Sequence, residues 1–157
     1  MHHEVELGVV IDKPGKFICQ EEAMNHVAGY VLALDMTARD IQRIHQAKKW
    51  PWFLSKGFDT SCPISEFVPK SLVKDYNNLN LKLTVNGIVK QNGNTRDMIY
   101  KIPRIISYIS EFIRLEHGDL ILTGTPGGVS QVVHGDVIEA HLDNLVSIKF
   151  PVVDTYK

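Results

Sequence analysis

Apolar and polar positions alternate along residues 3–11, so Val5, Leu7 and Val9 share one face of an extended strand and Glu4 and Glu6 share the other. Residues 30–34 are instead an unbroken apolar run, the mark of a buried strand, with Asp35 at its far end. A short helix over 21–26, ended near Gly29, is expected between the two. At Thr37-Ala38-Arg39-Asp40 the pattern turns polar and helical, resembling a capping box with Asp in the Glu position and opening a helix to about Lys49. Trp50-Pro51-Trp52 stops that helix, because a residue before proline is pushed out of helical space.

Residues 53–69 mix Gly, Ser, Pro and aromatics and read as loop with short strands. Alternation returns over 79–85; Asn86-Gly87 then supplies the turn of a type I′ hairpin and Ile88-Val89 resumes the strand. Gln91-Asn92-Gly93-Asn94 reads as a second turn. Pro103 near its start marks a helix over 102–115, with Ile105, Ile106, Ile109, Phe112 and Ile113 on one face and Gly118 as C-cap. A strand at 120–122, the loop Thr123-Gly124-Thr125-Pro126-Gly127-Gly128 and two strands over about 137–142 and 145–153 complete the chain. Strands outnumber helices and the connections are short. The expected class is α+β, built on a mixed sheet rather than on alternating βαβ units.

Length and composition narrow this further. The 157 residues suit one domain, 1–157, with a single sizeable core. Apolar and charged fractions of 44% and 22% are those of an ordinary globular protein. A net charge of −1 gives no basic face for nucleic acid and no polybasic membrane patch. Cys19 and Cys62 stand far apart, which predicts an intracellular, reducing compartment and a fold independent of disulfides. No apolar run is long enough to span a membrane, and no signal or Arg-rich transit segment is evident.

The chemistry concentrates in a few places. Glu4 and Glu6 repel each other unless a cation stands before them, and a hard divalent ion with oxygen ligands relieves that repulsion. Asp35 would complete a three-carboxylate cup for Mg2+ or Mn2+. The plainer reading is an acidic strand edge and an aspartate capping a turn. Lys56 sits in a Gly- and aromatic-rich loop, where it either neutralises a bound carboxylate or enolate or is simply solvated. Arg39 and Gln42, three residues apart on one helix, share a face beside Asp35 and either clamp a substrate carboxylate or face solvent. The glycines of 124–128 permit close backbone approach to a ligand, or make a plain turn; the loop lacks the P-loop pattern. Trp50 and Trp52 are assigned to core or pocket wall. His26, His45, His117, His134 and His141 show no ligand spacing, and no Ser-His-Asp arrangement or GxSxG stands out.

Taken together these stretches resemble the fumarylacetoacetate hydrolase family, most closely its acylpyruvase branch. The resemblance rests on residues 3–10, Gly29-Tyr30 through Asp40, Lys56-Gly57-Phe58-Asp59 with Cys62-Pro63, Val85-Asn86-Gly87, and Thr123-Gly124-Thr125-Pro126, in the family's order. It implies a mixed-sheet β-roll, a homodimer, and Mg2+ (or Mn2+) held by Glu4, Glu6 and Asp35. It further implies that Arg39, Gln42, Lys56 and Thr125 face a small 2-oxo acid, with Lys56 and Thr125 in catalytic roles. The implied activity is acylpyruvate hydrolysis, with oxaloacetate decarboxylation or tautomerisation beside it; mitochondria are the implied compartment, with the cytosol as alternative. Family members ordinarily carry a His and a Glu on a helix ahead of the metal strand, whereas Met1 here stands three residues before Glu4. A hydrolytic base missing from this sequence would spare decarboxylation more than hydrolysis. It also leaves open a catalytically impaired member that binds metal or metabolite as a dimer partner.

Overall fold

A computed structural model describes residues 1–154. Strand β1 (Val5–Ile11) lies antiparallel to β2 (Val27–Leu34), paired Val5↔Leu34 and Glu6↔Ala33 onward to Val9↔Tyr30. The inward face expected of β1 is present: Val5, Leu7 and Val9 are fully buried. The opposite face is covered too, since Glu6 and Gly8 are also buried. Between these strands come a helical turn, α1 (Gln20–Ala23), and a 3-10 turn over Met24–His26.

Helices α2 (Arg39–Lys48) and α3 (Phe53–Lys56) follow β2, and β3 (Val68–Pro69) returns to pair with it. The hairpin β4 (Asn80–Val85) and β5 (Ile88–Asn94) turns at Asn86 and Gly87, whose φ of 51° and 79° are the two positive values of the expected type I′ turn. Helix α4 (Ile102–Phe112) precedes β6 (Leu120–Leu122), β7 (Val137–Leu142) and β8 (Val146–Pro151). The α+β class takes the form of two four-stranded sheets, ordered β3-β2-β1-β6 and β5-β4-β7-β8, with every strand pairing among them antiparallel. Leu7, Leu32 and Leu34 of the first sheet share one core with Leu83, Ala140 and Leu142 of the second.

Several local expectations give way to tertiary context. The capping box does not form: Ala38 is the N-cap, and Thr37 is buried in a bridge with His2. Helix α2 ends at Lys49, whose left-handed φ of 57° closes it just before Pro51. Trp50 and Trp52 are half exposed rather than core or wall. Lys56 ends the short helix α3 instead of lying in a loop. Residues 91–94 continue β5 instead of turning. Helix α4 stops at Phe112, and Phe112 and Ile113 are exposed. Its buried face is Ile102, Ile106, Ser107 and Ser110, the Ser110 hydroxyl accepting from Ile18 N–H at 2.9 Å. Gly118 (φ 87°) turns the chain into β6 rather than capping the helix, its N–H donating to Ile11 O at 2.9 Å.

Candidate active site

The β1–β2 register builds the site. Carried one pair beyond Val5↔Leu34, it sets Glu4 opposite Asp35, and the Asp35 N–H donates to Glu4 O at 2.8 Å. Directly opposed residues share a face, as do residues two apart on one strand. Glu4, Glu6 and Asp35 therefore rise from one face of two neighbouring strands, and one carboxylate oxygen from each lies within 4.8 Å of the others. Such an all-oxygen set suits a hard divalent cation, leaving further positions for water or a ligand.

Two helices bring cations to the rim. The Ala38 N–H donates to Ser55 O at 3.0 Å, tying the start of α2 to α3. Lys56 Nζ donates to Glu4 Oε2 at 2.8 Å and to Asp35 Oδ2 at 2.5 Å. Arg39 donates to Glu4 Oε1 at 2.7 Å with one nitrogen and to Gln42 Oε1 at 2.6 Å with the other. That fork fixes the Gln42 amide with Nε2 as its remaining donor; this nitrogen bonds to nothing among the described residues.

The electrostatics differ from acid to acid. Burial, reinforced by the charges of Asp35 and Glu4, pushes the Glu6 carboxyl up to about 7, although Gly124 N–H donates to it. Burial would raise Glu4 as well, but the Lys56 and Arg39 hydrogen bonds outweigh it and hold Glu4 below its ordinary range. Lys56 is desolvated, yet its two carboxylate partners raise it. Cys62 feels the same field: burial and then Asp35 and Glu6 raise its thiol.

The loop 123–128 closes the site from the β6 side. Gly124 N–H donates to Glu6 Oε2 at 2.6 Å. Thr125, expected to face the ligand, spends its hydroxyl proton on Val5 O at 2.8 Å and accepts from Gln91 Nε2 at 2.8 Å. Its backbone N–H bonds to nothing among the described residues. All seven anticipated residues (Glu4, Glu6, Asp35, Arg39, Gln42, Lys56 and Thr125) thus belong to one neighbourhood. Sequence reasoning missed His3 and Gln91, which are fully buried beside it. No periodicity marks Gln91, because β5 reads Ile-Val-Lys-Gln-Asn-Gly-Asn without alternation, and residues 91–94 have the composition of a turn. A cavity of about 610 Å³ shares loop residues 123–127 with this neighbourhood; its remaining wall combines Leu7, Leu81 and Ile105 with residues 92–95 and 97–100.

Comparisons with known proteins identify the chain's relatives. The pattern that defines the fumarylacetoacetate (FAA) hydrolase C-terminal family matches residues 1–153. The chain is 55% identical over 145 residues to a protein named mitochondrial oxaloacetate decarboxylase from Dictyostelium discoideum, covering 92% of this chain and 66% of that one. It is 54% identical over 152 residues to the mitochondrial oxaloacetate tautomerase FAHD1 of Mus musculus, covering 97% and 69%. Fumarylpyruvate hydrolase from Pseudomonas aeruginosa, solved in complex with Mn2+ and pyruvate, superposes with a TM-score of 0.94 at 38% identity, over 97% of this chain and 65% of that one. The chain thus spans about two thirds of the length of these relatives.

Proposed function

Because this chain belongs to the fumarylacetoacetate hydrolase C-terminal family, we propose that it is a divalent-metal-dependent enzyme of small 2-oxo acids, with oxaloacetate as substrate. The observation that carries the reading is the convergence of Glu4, Glu6 and Asp35 to within 4.8 Å, with Lys56 and Arg39 hydrogen-bonded at their rim. The names of the relatives from Dictyostelium discoideum and Mus musculus support the substrate.

A Mg2+ or Mn2+ ion held by the three carboxylates supplies Lewis-acid withdrawal of electron density from a keto oxygen. The chain's own residues do the rest. Gln42 Nε2, its amide fixed by Arg39, and the Thr125 N–H recognise a carboxylate at the rim. Lys56 offers a fixed positive charge to the enolate oxygen that develops when oxaloacetate loses CO2 or shifts to its enol. These residues are partly shielded from water, which strengthens that interaction. Both reactions draw on an electron sink, whereas hydrolysis also draws on an activated water.

Acylpyruvate cleavage is the second reading, favoured by the likeness to the fumarylpyruvate hydrolase solved with pyruvate. A direct test adds Mn2+ or Mg2+ to the purified protein and follows oxaloacetate loss and enol–keto conversion beside acetylpyruvate cleavage. Metal-dependent oxaloacetate turnover supports the first reading, and dominant acetylpyruvate cleavage supports the second. Tight metal binding with no turnover of either would mean a metabolite-binding member. The proposal extends to a homodimer, checked by light scattering, and to mitochondria, checked by fractionation.

A further inference from the structure

We propose that Gln91 is the positioning residue that seats the loop 123–128 over the carboxylate cup, and hence sets how tightly a 2-oxo acid is held. The clause about the ligand rests on the function proposed above; the clause about the loop does not. Strand β5 is the open edge of its sheet, and Gln91 is its one buried side chain. A polar amide in that position costs free energy unless its hydrogen bonds are made.

They are all made. Oε1 accepts from Val5 N–H at 3.1 Å and from His3 Nδ1 at 2.8 Å. Nε2 donates to Thr125 Oγ1 at 2.8 Å and to Pro126 O at 2.9 Å. Val5 N–H can only donate and Pro126 O can only accept, so the amide has one orientation. That orientation places the proton of His3 on Nδ1 and leaves Nε2 to accept from the Ser130 hydroxyl at 2.8 Å. One end of the amide therefore grips the start of the metal strand, and the other grips the loop. Next to the residues it holds, Gly124 N–H reaches Glu6.

The loop lies against β5 on both sides of this amide. A Cβ at Gly128 would land on the Lys90 carbonyl oxygen, and one at Gly93 would meet Pro126 Cβ at 2.5 Å. Close contact at these two points, with the Lys90 backbone and the Pro126 ring, leaves Gln91 as the polar link between them.

The test is Gln91→Glu. It keeps the acceptors for Val5 and His3 but withdraws both donors from Thr125 and Pro126. Hydrogen exchange of the peptide containing 123–128 is expected to speed up at least about tenfold without added metal. Oxalate, an inert planar chelator, is expected to bind the Mn2+-loaded protein about tenfold more weakly, and KM for oxaloacetate to rise by a like factor with a smaller change in kcat. A merely structural glutamine would lower Tm and leave the KM-to-kcat split unchanged. Unchanged exchange, or unchanged oxalate affinity, overturns the proposal. In the wild-type protein the Gln91 side-chain amide protons should show slow solvent exchange and proximity to Thr125 by NMR, a measurement that stands even where the variant does not fold; unprotected protons there also overturn it. Should exchange and oxalate binding respond while the wild type turns over neither keto acid, the proposed function fails and the positioning role survives. Should the wild type turn over oxaloacetate while Gln91→Glu changes nothing, the reverse holds.

Discussion

Gly124 donates its backbone N–H to Glu6 Oε2 across 2.6 Å, so the most deeply buried acid of the cup is held by the loop that follows β6. One amide does not offset the burial and the neighbouring negative charges that raise Glu6 from 4.5 to about 7. A carboxyl whose folded-state value lies above its unfolded value binds its proton more tightly when folded. Its stabilising contribution is therefore complete below about pH 4.5 and is lost as pH rises through about 7. Metal-free protein should lose on the order of 3 kcal/mol from this source across that window. Glu4 works the other way at lower pH, its contribution being lost as acid protonates it. The comparison of wild type with Glu6→Gln in EDTA isolates the Glu6 part. Mn2+ needs the ionised carboxylate, so its affinity for wild type should climb with pH through the same range. Melting curves that show no pH-dependent gap between the two proteins would contradict the assignment.

Substitution of Lys56 should separate metal binding from turnover. Its ammonium is hydrogen-bonded to Glu4 and Asp35, so Lys56→Met leaves both acids without that cation. The Mn2+ affinity of the variant, followed by electron paramagnetic resonance, should be no weaker than wild type and is expected to be tighter, because the cup becomes more negative. Oxaloacetate turnover should nevertheless fall about 10²–10³-fold, the usual effect of removing a group aimed at developing charge. Parallel loss of metal and turnover would demote Lys56 to a structural ion-pair partner.

Much of this was legible before any coordinates. The alternation at Glu4-Val5-Glu6 gives the common face of two acids, and the apolar run ending at Asp35 gives the third. What the sequence does not print is the register. Only the pairing Val5↔Leu34 sets Asp35 opposite Glu4, and a slip of one residue would send Asp35 to the other face. Lys56 was singled out by its surroundings but assigned to loop, because a helix of four residues is too short to show periodicity. Thr37 has the residue type of an N-cap, yet its backbone is paired with His2, and that tertiary bridge overrides local preference. Phe112 and Ile113 fit an apolar helical face by spacing, but the helix buries Ser107 and Ser110 there because their side of α4 meets the segment around Ile18. Gln91 escapes for a different reason: Asn and Gly beside it signal a turn, whereas pairing with β4 carries the strand on through Leu83↔Gln91 to Asn80↔Asn94, and its side-chain partners lie 34 to 88 residues away in sequence.

Two glycines of the same loop should respond unequally to alanine. Gly128 has φ of 101° and no room, since an added Cβ meets the Lys90 carbonyl, which is backbone and cannot swing aside. Gly124 has φ of 95° but nothing within 4 Å of the added atom. Gly124→Ala should cost only the backbone strain, about 1–2 kcal/mol. Gly128→Ala should cost on the order of 3 kcal/mol or lift the loop from β5. Denaturant midpoints of the two variants decide it, and an equal or reversed order would show that the loop is not pressed against β5.

Arg39→Lys tests whether the guanidinium fork, and not charge alone, prepares the ligand site. Arg39 spans two acceptors at once, Glu4 Oε1 at 2.7 Å and Gln42 Oε1 at 2.6 Å. A lysine keeps the charge but offers a point donor on a flexible stem, so it can satisfy one of these acceptors in good geometry and not both. Glu4 retains Lys56 as a partner, and the Mn2+ affinity should change less than about threefold. The Gln42 side chain has no second partner among the described residues, and its amide, freed to rotate, no longer presents Nε2 in one direction. The loss should therefore fall on the keto acid: KM for oxaloacetate is expected to rise about tenfold, equivalent to about 1.4 kcal/mol, with kcat within a few-fold of wild type. Gln42→Leu should reproduce most of that rise, and the double variant should add little to either single change, because both act through one amide. Additive effects would mean that Arg39 holds the substrate by itself, and a collapse of Mn2+ binding in Arg39→Lys would mean that it serves the metal cup instead.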